Sequence, residues 1–239
     1  MNQTKFEWCD KTLNPVVGCS YGCPYCYARR INARFHYVPD FSEPQFFPER
    51  LEQLKSKKPA KVFLTSMSDP ADWRQTWAAA VLDAIEKNPQ HEYLLLSKRP
   101  EAYMNLFPIW RHIYGDLKNI WYGATVTSYR DLHKIADLPL YGKRFISFEP
   151  LLGSADPRLR PVKCAVPWID WAIIGAETGP GASARRPRRE WVEEIVSYCD
   201  ETGVPVFMKD SLLPVVGAEG MRRDFPEQMK REEGDHEGP

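Results

Sequence analysis

The sequence predicts an α/β fold, a partial (β/α) barrel of about six to seven parallel strands. Three observations carry that expectation. Short apolar runs alternate with stretches of helical periodicity, which is the pattern of βαβ units. The runs are apolar throughout rather than at every second residue, so each strand is covered on both faces. Each run then ends in polar residues, as the ligand-binding ends of parallel strands do.

In chain order, residues 15–19 form the first expected strand, and a helix-like segment over residues 27–34 follows a cysteine-rich loop. Residues 35–60 read as a long connection rich in Pro and Phe, a length that marks a functional loop able to cap a pocket. The next strand is expected at residues 62–64. Trp73, Trp77, Val81, Ala84 and Ile85 then recur at helical spacing behind Asp69 or Asp72 as cap. Further strands are expected at residues 93–96, 120–126, 145–148, 171–174 and 206–208, and Trp191, Ile195 and Cys199 mark a second helical stripe. Residues 151–167, with Pro157, Pro161 and Pro167, form another irregular connection. The expected organisation is one domain over residues 1–225 and a polar, disordered tail over residues 226–239.

Composition narrows the function classes. The chain has 239 residues, 43% of them hydrophobic, with 32 basic and 32 acidic side chains and a formal charge of zero. Whole-molecule electrostatics therefore do not mark a nucleic-acid or membrane binder. No apolar run approaches the roughly 18 residues of a membrane span. The first residues, with Glu7 and Asp10, lack a secretory pattern, so the expectation is cytoplasmic. In a reducing compartment cysteines point to metal or catalysis, and four of the six, Cys9, Cys19, Cys23 and Cys26, lie near one end.

Cys19-Ser20-Tyr21-Gly22-Cys23-Pro24-Tyr25-Cys26 has the spacing C-x3-C-x2-C between an expected strand and an expected helix. Three thiolates on one tight loop can hold three irons of a [4Fe-4S] cube and leave the fourth iron open. Structural zinc takes four closed ligands, so a zinc site would need Cys9 or His36 to complete the triplet. Reduced, unliganded thiols are the third reading. Cys164 and Cys199 read as ordinary or buried thiols. The five histidines show no metal-ligand pairing, and no G-x-S-x-G motif supports a serine hydrolase.

The triplet, with Tyr25 just before its last cysteine, resembles the signature of the radical S-adenosylmethionine (SAM) superfamily, whose fold is a partial (β/α) barrel. Beyond it, Glu7-Trp8, Asn14-Pro15, Cys26-Tyr27-Ala28, Ser66-Met67-Ser68-Asp69, Ser97-Lys98-Arg99-Pro100, Ser147-Phe148-Glu149-Pro150-Leu151-Leu152-Gly153 and Gly175-Ala176-Glu177-Thr178-Gly179-Pro180-Gly181 resemble a phage-associated, three-cysteine family of unknown function. Cys9 departs from that family, where threonine is frequent.

The resemblance implies that Cys19, Cys23 and Cys26 ligate a [4Fe-4S] cluster and that SAM chelates the fourth iron. Reductive cleavage of SAM would give a 5′-deoxyadenosyl radical that abstracts hydrogen from a substrate, with a donor such as flavodoxin or ferredoxin supplying the electron. It implies adenine contacts near Tyr25, methionine-ammonium contacts at Ser66, Ser68 and Asp69, and ribose or carboxylate contacts at Thr125, Thr127 or Ser128. Glu149 and Glu177 are candidate cofactor or substrate contacts. Lys98, Arg99 and Lys209 end two further expected strands and could hold a carboxylate or an anionic substrate. Lys98, Glu149 and Lys209 are the catalytic candidates. The phage association and the run Arg185-Arg186-Pro187-Arg188-Arg189 open a second reading, nucleic-acid or nucleotide modification by the same chemistry. A non-catalytic zinc-binding interaction module is the third.

Overall fold

A computed structural model of the chain describes residues 1–106, 115, 117–159, 169–179 and 182–230. Among these, the strands are β1 (Asn2–Gln3), β2 (Lys11–Thr12), β3 (Val16–Val17), β4 (Gln45–Phe46), β5 (Lys61–Phe63), β6 (Glu92–Ser97), β7 (Ile120–Thr125), β8 (Lys143–Phe148), β9 (Trp171–Ile174) and β10 (Val206–Met208). The helices are α1 (Tyr27–Phe35), α2 (Gln75–Glu86), α3 (Ala102–Leu106), α4 (Arg189–Thr202) and α5 (Leu213–Val216).

Seven strands pair in parallel in the order β2-β5-β6-β7-β8-β9-β10, and β1 adds antiparallel to β2. Each new strand joins the same edge, with no reversal of strand order, so the sheet curls into a half-barrel rather than a doubly wound layer.

The six later strands lie where the apolar runs place them; the first does not. Residues 15–19 are not the first barrel strand. That place belongs to Lys11–Thr12, paired to Val62 and Phe63, while Val16–Val17 pairs antiparallel with Gln45–Phe46 in a separate ribbon. Pro15 has no N–H for a ladder, and its carbonyl accepts the Phe47 N–H at 2.7 Å, which turns the chain out of the barrel. The 35–60 connection is likewise more structured than its composition suggests, since it contains β4 and a 3₁₀ segment over Pro48–Lys55 that buries Leu54. The helix expected behind Asp69 or Asp72 begins at Gln75; Asp69 instead caps the 3₁₀ turn Pro70–Asp72.

Side-chain alternation sorts the strands into two packing faces. Val62, Leu64, Tyr93, Leu95, Tyr122, Ile146, Ala172, Ile174, Val206 and Met208 face outward and pack with Val81 and Ile85 of α2 and Val192 and Ile195 of α4. The intervening residues Phe63, Leu94, Trp121, Phe145, Trp171, Ile173 and Phe207 face inward and join Trp8, Cys9 and Met229. The barrel floor is thus largely aromatic. Met229 lies in the short turn Glu227–Met229 and is buried against this floor, so ordered chain extends past residue 225. Cys164 and residues 231–239 lie outside the described residues.

The floor is packed without slack at Gly123, where an added Cβ would sit 2.3 Å from the Phe145 ring. Gly123→Ala is therefore expected to lower stability by about 1–3 kcal/mol, the usual cost of overpacking a core, as read by denaturant unfolding. An unchanged midpoint would show that the Phe145 ring has room to move.

Candidate functional site at the carboxyl ends of the strands

The inward column changes character at its upper end. Counting on by twos from the aromatic floor gives Thr65 after β5, Leu96 and Lys98 at β6, Thr125 at β7, Ser147 and Glu149 at β8, and Lys209 after β10. All of these line one cavity of about 270 Å³, closed on the other side by Cys19, Cys23, Tyr25, Cys26, Tyr27 and Arg30. Ser66, Ser68, Asp69 and Glu177 line it too. The structure thus brings together the three cysteines, Tyr25, Lys98 and Lys209 with most of the polar residues expected at the site.

Thr127 and Ser128 stay outside. β7 ends at Thr125, and Thr127 turns away to give both its N–H and its hydroxyl to Asp131, at 2.9 and 2.7 Å. Ser128 begins the following 3₁₀ segment. Cys9 lies in the aromatic floor and His36 ends α1, so neither joins the triplet in lining the cavity. Thr65, Ser147, Thr178 and Arg30 are cavity residues that the sequence reading did not assign. The alternation along β5 and β8 would have found the first two. Arg30 stands three residues after Tyr27 on a helix, and that spacing was its only signal.

The cysteine loop is held from several directions. Gly18 enters it with φ +115° and packs so closely that a Cβ would lie 2.7 Å from the Pro44 Cα. The Gly18 N–H donates to the Met67 carbonyl and the Cys19 N–H to the Phe41 carbonyl, at 2.9 and 2.7 Å. Ser20 gives its N–H and hydroxyl to the two Asp72 oxygens, at 2.9 and 2.7 Å. Asp72 in turn lies 2.8 Å from the Arg99 guanidinium, which covers the Tyr21 ring. At the far end Cys26 caps α1, its sulfur accepting the Arg29 N–H at 3.3 Å. This places the sulfur at the positive end of the helix.

Burial pushes the Cys19 thiol up to about 12 and also raises that of Cys23. A metal that takes these sulfurs as thiolates must displace their protons. Among the described residues no three His, Cys, Asp or Glu side chains converge on the position of a single metal ion. A cube takes each thiolate on a different iron, so the three cysteines that line the cavity need not meet at one ion to hold one.

The other charged groups are fixed by the chain itself. The buried Asp69 carboxylate receives the Ala71 N–H (3.0 Å), the Ser97 hydroxyl (2.6 Å) and the Lys98 N–H (2.9 Å). It therefore sets the upper end of β6. The Lys98 ammonium lies 5.1 Å from the Tyr25 ring centre, and burial lowers its pKa against the opposing pull of Cys23 and Asp69. Lys209 pairs with Glu149 and lies 5.7 Å from the Phe6 ring centre. Glu177 accepts from Nε and one terminal nitrogen of Arg185, whose hydrogen bonds hold its carboxyl below the ordinary range.

Asp72 is the joint between loop and barrel. Burial alone would raise its pKa; the two Ser20 donors and Arg99 outweigh that and hold it below the ordinary value. A carboxyl lowered in the folded state contributes stability above its unfolded pKa of about 3.9 and loses it as pH falls through the folded value. Asp72→Asn is expected to cost about 1–3 kcal/mol at neutral pH, to flatten the acid side of the stability profile, and to lower the iron retained after reconstitution. Unchanged melting and iron content would show that the loop is held without this carboxylate.

The profile of the family described as Protein of unknown function (DUF5131) matches residues 3–217. No curated protein matches the sequence. Among solved structures, a cysteine-to-serine mutant of spore photoproduct lyase shares the fold with a TM-score of 0.59 at 9% identity, over 87% of this chain and 79% of that one. At that identity the likeness concerns the fold. The family match spans most of the chain, floor and cavity walls alike, and the chain belongs to this family of unknown function.

Proposed function

We propose that the chain is a radical SAM enzyme that binds one [4Fe-4S] cluster at Cys19, Cys23 and Cys26 and acts on a substrate admitted to the cavity at the carboxyl ends of the strands. One observation carries this reading: three half-buried cysteines on one fixed loop face the polar mouth of a half-barrel. Likeness in fold to spore photoproduct lyase, a radical SAM enzyme, supports the general class.

The cluster and SAM, when bound, would supply a 5′-deoxyadenosyl radical and methionine by reductive cleavage of the sulfonium bond. The chain's own groups would bind, orient and shield. Cys19, Cys23 and Cys26 would each take one iron. Tyr25, Tyr27, Phe6 and Trp8 would wall the site and exclude water from it. Ser66, Ser68, Thr125 and Ser147 offer hydroxyls to the polar parts of the cofactor. Asp69 would act by positioning Lys98 and the end of β6, because the chain's own donors already engage both its oxygens. Lys98 supplies a cation beside the cysteine loop, and the Glu149–Lys209 pair a second polar anchor on the opposite strands. A reducing donor such as flavodoxin or ferredoxin would deliver the electron.

The test is anaerobic reconstitution with iron and sulfide, reduction with dithionite, and assay of 5′-deoxyadenosine from SAM. The expected result is formation of 5′-deoxyadenosine that is lost on Cys19→Ala, Cys23→Ala or Cys26→Ala while each variant keeps its fold. A colourless protein with stoichiometric zinc, unfolding when those cysteines are replaced, would establish the zinc-module reading instead.

A further inference from the structure

The zero net charge of the chain hides a strong local asymmetry. No Asp or Glu occurs between Lys11 and Pro39, the stretch that carries the cysteine loop and α1, although the chain has 32 acidic residues. That stretch holds Arg29, Arg30 and Arg34, all exposed, and none of the three makes an ion pair among the described residues. In the other arginine-rich stretch two of the four are paired, Arg185 with Glu177 and Arg189 with Glu193.

Exposed aromatic rings gather in the same place. Among the described residues, Tyr21, Tyr27, Phe35 and Tyr37 are exposed large aromatics, and the one other is Tyr129. Phe35 and Tyr37 are 55% and 48% exposed and stack on each other, with ring centres 5.9 Å apart and an interplanar angle of 26°. The Arg34 guanidinium lies 5.1 Å from the Phe35 ring centre.

This arrangement is held in place. His36 ends α1 in the left-handed conformation, and the Asn32 side chain clamps the following turn through both the N–H and the carbonyl of Val38, at 3.0 and 2.9 Å. The stacked rings are thus presented by a fixed turn. Arg30 and Arg34 are four residues apart and share one edge of α1. Arg30 itself lines the cavity, so the row Arg30–Arg34 leads outward from the mouth to the stacked pair.

We infer that this edge of α1, with Phe35 and Tyr37, is a docking surface for a single-stranded polynucleotide. Phosphates lie along Arg30 and Arg34, and bases stack on Phe35 and Tyr37. An acidic protein would be served by the arginines alone. An exposed, prearranged aromatic pair beside them suits unstacked bases, and a duplex cannot offer its base faces. Because Arg30 lines the mouth, the surface also names the substrate class of the reaction proposed above, and in that respect it rests on that reading. The binding itself needs neither cluster nor SAM.

The test is fluorescence anisotropy of the full-length chain, with and without reconstituted cluster, against fluorescein-labelled mixed-sequence single strands of DNA and of RNA, each about 20 nucleotides long to exceed one binding site. The matched duplexes and polyglutamate serve as competitors. The expected result is single-strand binding, with or without the cluster, that duplex and polyglutamate displace poorly. The slope of log K against log salt should be about −1.4 for two phosphate contacts, and Arg34→Ala should make it shallower by about 0.7. Phe35→Ala should weaken binding at least about fivefold, whereas Phe35→Trp retains it. The DNA and RNA arms decide which polymer is preferred. Absence of single-strand binding, binding that Arg34→Ala and Phe35→Ala leave unchanged, or equal displacement by duplex or polyglutamate would each overturn the inference. Binding by a chain that forms no 5′-deoxyadenosine would separate the surface from the chemistry.

Discussion

Each strand of the half-barrel turns successive side chains to opposite faces, and the inward column has to serve two purposes along one short length. At its lower end it fills the half-barrel with Phe63, Leu94, Trp121, Phe145, Trp171 and Phe207. At its upper end the same column carries Thr65, Lys98, Thr125, Ser147, Glu149 and Lys209. A slip of one residue in any register would send the polar ends into the helix-covered face and the aromatic floor into the outer layer. The position of the cavity and the part of its wall that the strands carry follow from that alternation.

The cysteine loop is a separate piece of chain that the barrel holds rather than contains. Its entry depends on Gly18, its middle on Ser20, Asp72 and Arg99, and its exit on the cap at Cys26. Asp69 belongs to the same scaffold, because it joins the end of β6 to the turn that carries Asp72. The acidic residues nearest the cysteines thus act as struts. The arginines of α1 make no ion pair among the described residues: Arg30 reaches the cavity near Glu177, Arg29 lies near Asp40, and Arg34 stands at the exposed end of the helix beside Phe35.

Six of the seven parallel strands were legible because burial on both faces writes an unbroken apolar run into the sequence. The first was not, since Lys11–Thr12 is two residues long and polar, and it belongs to the sheet only through its pairing with Val62 and Phe63. The apolar run at Val16–Val17 was the better strand signal and belongs to a different ribbon. At the site, the cysteines, Lys98, Glu149 and Lys209 were readable from their place after a motif or a strand. Thr127 falls outside the cavity because β7 ends at Thr125 and Asp131 takes the Thr127 N–H and hydroxyl, a contact that no motif marks. The commitment of Asp69 to Ser97 and Lys98 is a tertiary contact across 28 residues, and no local pattern announces it.

Under the proposed function, Cys19, Cys23 and Cys26 would hold a cluster whose fourth iron is free to take SAM. Mössbauer spectroscopy of protein reconstituted with ⁵⁷Fe, recorded before and after addition of SAM, tests it most directly, because it counts irons by environment. The expected result is a [4Fe-4S] spectrum in which one iron in four changes its parameters when SAM is added, as a single open coordination site requires. A spectrum that SAM leaves unchanged, or iron that never assembles on the three cysteines, would contradict it.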